Sequence, residues 1–176
     1  MASRVGIELE LGMNTQLFTG SEPSASKMAP IRNEGFIKPR GGLWTSSYDA
    51  ELGSDWIQWC QAEDFQVPRG GWPSFILEVD PNARILTIDS YEDLASACER
   101  YAITSDFPIT ILDFERMAQD YDAMHLTATG QMATRLTHPV SLYGWDCEST
   151  IWFRWMFTSV TNIGRQKYSM PAWEYA

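Results

Sequence analysis

The sequence predicts an α+β domain, and three observations predict it. Short apolar–polar alternations follow one another as in hairpins. Three capped amphipathic helices interrupt them at irregular intervals. No G-x-G-x-x-G or phosphate-loop sequence marks a doubly wound parallel sheet. With 176 residues, 44% of them hydrophobic and eight of them tryptophan, the chain is expected to form one domain, residues 1–176, around a sizeable core.

In chain order, "GIELELGMNTQLFTG" reads as two short strands, the first with Ile7, Leu9 and Leu11 on one face. "SEPSASKMAPIRNEG" reads as a loop because of its prolines and small polar residues. "GGLWTSS" suits a strand after a tight turn, with Leu43, Thr45 and Ser47 pointing one way and Trp44 and Ser46 the other. Ser54 or Asp55 caps the first helix, which sets Trp56, Trp59, Cys60 and Glu63 on one stripe and is expected to be partly buried. "SFILEVD" and "ARILTID" read as strands. Ser90 and Asp93 then form a capping box ahead of a Leu94, Ala97, Cys98 and Tyr101 stripe. Asp113 caps a third helix carrying Phe114, Met117, Ala118 and Tyr121, and "DAMHLT" follows as a strand. In "WDCESTIWFRWMF" strict alternation predicts one long strand. Cys147, Ser149, Ile151, Phe153, Trp155 and Phe157 share its apolar face, opposite Asp146, Glu148, Thr150, Trp152 and Arg154.

A net charge of −10 argues against general nucleic-acid affinity, which needs a positive surface. Cys60, Cys98 and Cys147 lack the spacing of a disulfide framework or a zinc site, so reduced thiols and no metal are expected. "MASRVGIELELG" has no long apolar run, so neither a signal peptide nor a membrane anchor is expected, and the expected location is the cytoplasm.

Glu148, a strand carboxylate among aromatic residues, is the candidate for charge stabilisation. Lys27, Arg32, Lys38 and Arg40 cluster before Gly41 and Gly42, where backbone N–H groups can approach a phosphate. Trp44 offers a stacking wall for an adenine or nicotinamide ring. His125 and His138 lie near no nucleophile-elbow sequence and read as structural. The aromatic C-terminus "YSMPAWEYA" suits a partner interface or packing on the domain's own surface.

The order "QLFTGS", "GGLWTSS" with a helix behind it, "ARILTIDSYEDL", "LDFERMAQDYDAMHLT" and "WDCESTIWF" resembles the ADP-ribosyltransferase family over about residues 14–157. The resemblance implies a split β-sandwich with peripheral helices, and NAD as substrate with no metal. It also implies transfer of ADP-ribose to an acceptor, a protein among the candidates, or cleavage of NAD. It makes Glu148 the catalytic carboxylate and places Thr45, Ser46 and Ser47 on the family's hydroxyl motif. Thr19 before Gly20 stands where the family carries His or Arg. Arg32, Lys38 or Arg40 are the candidate substitutes, so Thr19, Gly20, Lys38, Arg40 and Trp44 complete the expected NAD site. "GFIKPRGGLWTSS" also looks like proteins of tailed phages of actinobacteria, which adds the host cytoplasm or the virion as locations. The alternative is a catalytically silent domain of the same fold, serving as a structural or protein-binding component.

Overall fold

A computed structural model describes residues 13–34, 37–65, 68–103 and 110–166. The strand expected at Ile7–Leu11 and the aromatic C-terminus lie outside the described residues. Among the described residues the fold is mixed α+β, a large sheet with four α-helices. In chain order the elements are β1 (Thr15–Thr19), β2 (Ala29–Arg32), β3 (Arg40–Ser47), α1 (Asp55–Ala62), β4 (Trp72–Val79), β5 (Ile85–Ile88), α2 (Tyr91–Tyr101), β6 (Ala102–Ile103), β7 (Ile111–Leu112), α3 (Phe114–Asp120), β8 (Ala123–Leu126), α4 (Ala128–Thr134), β9 (Ser149–Trp152) and β10 (Phe157–Gln166). The strand order is β10-β4-β1-β3-β9-β8-β5, with β2 beside β3, and β6 and β7 pair separately. The ladders are antiparallel except β5–β8, whose strands are joined through α2 and α3.

β3 is where the sheet changes neighbours. Its Leu43–Thr45 stretch pairs with β9, while Ser46 and Ser47 pair with Leu17 and Gln16 of β1. Its first residues pair with β2. Three apolar clusters pack around this frame. One joins α2 and α3 to β8 and β9 through Leu94, Phe114, Met117, Met124 and Ile151. A second joins α1 to β1 and β4 through Ile57, Cys60, Leu17 and Ile76. The third gathers Leu77, Ala123, Trp152 and Phe157. Full burial of one such side chain is worth about 1.5–3 kcal/mol, so the helices are held mainly by these contacts.

The helix caps form as their residues dictate. Ser54 accepts from Ile57 N, Ser90 and Asp93 close a capping box, and Asp113 accepts from Arg116 N. Two expectations need correction, and two features of the helices went unread. α1 is partly buried as expected, but it buries Ile57 beside the Cys60 of its stripe, while Trp56 and Trp59 stack on each other at its half-exposed side. The "SEPSASKMAPIRNEG" loop contains β2; Pro30 lacks an N–H, and it sits in a strand that among the described residues has β3 as its one partner, where that loss is tolerated. The long final strand is two strands. β9 ends at Trp152 with both faces buried, and the chain then turns away to reach β4 at the other end of the sheet. That turn is pinned by Phe153 N on Asp122 O and by Arg154 on Asp122 Oδ1. Helix α4 carries no apolar stripe. Thr127 caps it, and Gly130 packs so tightly that a Cβ would lie 2.1 Å from Ile88 O.

Candidate functional site

Register assembles a polar strip on one face of the sheet. Thr45 lies opposite Thr150, and Thr150 opposite His125, so three strands place these side chains in a row. Two residues further along β3 is Ser47, opposite Gln16 of β1. Gln16 and Thr150 are fully buried, and Thr45, Ser46, His125 and Glu148 nearly so. Burial at this level demands partners, and the strip supplies them. Trp152 Nε1 donates to Thr45 Oγ1 at 2.8 Å, and Thr45 Oγ1 donates to Gln16 Oε1 at 2.6 Å. Gln16 Nε2 then donates to Ser47 Oγ at 3.3 Å.

Glu148 closes the strip just before β9 begins. Beyond Thr45 the β3–β9 ladder is open, while Ser46 and Ser47 pair with β1 on the other side. The carboxylate fills the opening. Ser47 N, which has no ladder partner on that side, donates to Oε2 at 2.9 Å, Ser47 Oγ to Oε1 at 2.9 Å, and Ser46 Oγ to Oε2 at 2.6 Å. Burial pushes the Glu148 carboxyl up to about 7, against the opposing pull of those donors and with a smaller push from Asp55. His125 Nδ1 lies 3.3 Å from Oε1 and 2.8 Å from Thr150 Oγ1. Burial holds the imidazole down at about 4, with Asp89 opposing. The ring is therefore neutral at neutral pH, so its 3.3 Å approach to Glu148 is no ion pair, and its hydrogen bond is the one to Thr150.

A cavity of about 300 Å³ lies on the other side of Ser46. β1 contributes Leu17, Phe18 and Thr19 to it, β3 Trp44 to Ser46, α1 Trp56, and the approach to β9 Asp146 and Cys147. Half-exposed Lys38 completes the wall, its Nζ 3.4 Å from Asp146 Oδ2 and 5.8 Å from the centre of the Trp44 ring. Burial, reinforced by the Glu148 charge, pushes the Cys147 thiol up to about 12, so this cavity thiol stays protonated and is no nucleophile.

Of the expected site residues, Thr19, Lys38, Trp44, Thr45 and Ser46 share the cavity wall. Ser47 and Glu148 stand behind it in the polar strip. Gly20 and Arg40 lie elsewhere: Gly20 N donates to Pro73 O, and exposed Arg40 pairs with Glu34. Thr19 Oγ1 accepts from Trp56 Nε1 at 3.0 Å. Of the basic cluster only Lys38 reaches the cavity, since Arg32 pairs with Glu115 and Lys27 donates to Glu22 O. Gly41 and Gly42 serve packing, because a Cβ there would lie 2.1 Å from Pro30 O and 2.5 Å from Trp152 O respectively. Gln16, His125, Thr150, Trp56 and Asp146 were not anticipated as site residues. The one sequence signal was polarity inside short apolar strands, above all the histidine in "AMHL".

Among the described residues no group of His, Cys, Asp and Glu is placed to hold a metal, and no helix is long and apolar enough to cross a membrane. Comparison of the chain with family models, with curated proteins and with solved structures finds no match.

Proposed function

We propose that the chain is an ADP-ribosyltransferase-like domain that takes the nicotinamide–ribose end of NAD into the cavity beside Ser46 and cleaves the bond between them. One observation carries the reading: Ser46 belongs to the cavity wall and also donates, at 2.6 Å, to the buried carboxylate of Glu148. About 300 Å³ is at the lower end of ligand pockets, room for a ring and its sugar but not for a whole dinucleotide. Trp44 and Trp56 supply flat apolar walls for the ring. In the fold this reading requires, the two layers of the split sandwich are β10-β4-β1 with α1 and β9-β8-β5 with α2 and α3, joined by β3.

As the C–N bond breaks, nicotinamide leaves with the electron pair and positive charge develops on the ribose, as in glycoside hydrolysis. Ionised Glu148, coupled to the sugar through Ser46, stabilises that charge. Water as acceptor gives nicotinamide, ADP-ribose and a proton; a nucleophilic acceptor gives its ADP-ribosylated product in place of ADP-ribose. Because the ionised form works, turnover rises with pH through about 7, where Glu148 titrates.

The test is nicotinamide release from NAD, followed by chromatography, with and without protein acceptors. Glu148→Gln keeps the shape and removes the charge, so release should fall by about 10²–10³. Equal release by the two proteins would remove Glu148 from the mechanism. A second reading, a catalytically silent structural or protein-binding domain, is favoured by one contact set. Glu148 is not itself in the cavity wall, and Ser46, Ser47 and His125 already engage its oxygens. It predicts no thermal shift with nicotinamide riboside and no release of nicotinamide.

A further inference from the structure

Among the described residues that line the cavity Lys38 alone is basic, and its charge is already engaged. The ammonium stands 5.8 Å from the centre of the Trp44 ring and 3.4 Å from Asp146 Oδ2. An aromatic face with a carboxylate beside it is a pair of groups that suits a ligand cation. Both indoles of the wall are held in place by the protein. Trp44 meets Trp145 edge-on at 4.7 Å, and Trp56 stacks on Trp59 while its Nε1 donates to Thr19 Oγ1. The charge around them is negative on balance. At Cys147, in the same wall, burial is the main cause of the raised thiol; the charges of Glu148 and Asp55 add to it, each outweighing the opposing pull of Lys38. A phosphate beside Lys38 would face the Asp146 carboxylate, whereas a cation in place of the ammonium would gain that carboxylate.

We infer that Lys38 is a built-in competitor for a cationic ring: its ammonium occupies, over Trp44 and against Asp146, the position that an N-substituted pyridinium takes on binding. The inference rests on the reading of this cavity as the seat of the nicotinamide ring. It makes the site selective for the oxidised, positively charged ring over the neutral dihydropyridine of nearly the same shape. Lys38 is half-exposed and its stem is flexible, so the ammonium reaches water when the ring enters. The affinity of the wild type is reduced by the fraction of molecules in which Lys38 covers the indole face.

The experiment measures, by calorimetry, the binding of nicotinamide methylated on its ring nitrogen, a cation, and of its neutral dihydro form. Neither carries a phosphate or the bond that the proposed chemistry breaks. The pH is set above the Glu148 midpoint of about 7. Four proteins are compared: wild type, Lys38→Met, Lys38→Met with Asp146→Asn, and Lys27→Met. The last is a control for net charge, since Lys27 donates to Glu22 O and is not in the cavity wall. Wild type should bind the cation about tenfold more tightly than the dihydro form. Lys38→Met should widen that ratio by about threefold or more, through tighter binding of the cation alone. Adding Asp146→Asn should bring the ratio back down, and Lys27→Met should leave it as in wild type. An unchanged or weaker affinity for the cation in Lys38→Met overturns the inference, and so does an equal gain in Lys27→Met, which would be an effect of net charge. Equal affinity for the two forms in wild type and Lys38→Met overturns the selectivity while leaving the cavity as the seat of the ring. No binding of the cation by Lys38→Met also overturns the inference, and the catalytic reading is then judged by nicotinamide release alone. Charge-selective binding in a protein that releases no nicotinamide from NAD supports the inference and sinks the catalytic reading instead.

Discussion

Glu148 and His125 face each other with their proton affinities inverted, and the inversion has a measurable effect on stability. The carboxyl rises from 4.5 to about 7 on folding, and the imidazole falls from 6.5 to about 4. Taken alone, Glu148 makes the folded state bind more protons between about pH 4.5 and 7, so stability falls as pH rises through that window. Taken alone, His125 makes the unfolded state bind more protons between about pH 4 and 6.5, so stability rises with pH there. From about 4.5 to 6.5 the two slopes cancel, the unfolded chain carrying one proton on the histidine and the folded chain one on the carboxyl. Each single substitution should expose the other slope. Relative to wild type, Glu148→Gln should gain stability between pH 4.5 and 6.5, and His125→Asn should lose it, each by at most about 3 kcal/mol. Urea denaturation across that range checks both signs. Two variants whose pH slopes match that of wild type would show that the pair is not inverted.

Among the elements, β3 depends most on a few exact backbone requirements. Gly42 has φ +65°, and a Cβ there would lie 2.5 Å from Trp152 O and 2.8 Å from Ile151 Cδ1. Gly164 in the β10 bulge has a similar φ of +77° with nothing within 4 Å of a Cβ. Both alanine variants bear the backbone strain, worth about 1 kcal/mol or more, but only Gly42→Ala also forces β3 away from β9. Gly42→Ala should therefore lose clearly more stability than Gly164→Ala, by about 2 kcal/mol or more, in paired denaturation curves. Equal losses would mean that the close approach to β9 is unimportant. These elements also show what a sequence displays and what it hides. The caps at Ser54, Ser90 and Asp113 were legible because each is a bond to a residue three positions on. β2 was hidden by its proline, and α4 by a buried face of Gly130 and Thr134 with no apolar stripe. Alternation through 146–157 joined β9 to β10 because side-chain period carries no information on where a strand changes its neighbour. Glu148 was legible as a strand carboxylate among aromatic residues and the serines through a family resemblance, but Gln16 and His125 belong to the strip through strand register. His125 meets its Thr150 partner 25 residues away, and Gln16 meets Thr45 across 29. No local pattern records such pairs.

Across the whole molecule, the cavity is lined mainly from β1, β3 and α1, whereas α2, α3 and β5 pack around an apolar cluster that meets the cavity wall through Trp44. A ligand seated beside Ser46 therefore touches one set of elements directly and the other only through overall stability. Binding at 100 times Kd adds about 2.7 kcal/mol to global unfolding, and every amide that exchanges through global unfolding should slow by that common amount. Amides that exchange through local opening behave differently, because a ligand slows them only where it holds the opening shut. With saturating nicotinamide riboside, the locally exchanging amides of β1, of β3 at Trp44–Ser47 and of the first turn of α1 should gain protection. Those of α2, α3 and β5 should exchange as in the free protein. Hydrogen exchange read by mass spectrometry separates the two groups within one experiment. Extra local protection centred on α2 to α4 would place the ligand in another part of the fold, and no change anywhere at millimolar ligand would remove the cavity as a site for this ring and sugar. The same measurement on Ser46→Ala tests the coupling at the wall. That variant keeps the aromatic surfaces of Trp44 and Trp56 but loses the hydroxyl that reaches Glu148. It should still protect β1 and α1 on binding, while nicotinamide release falls.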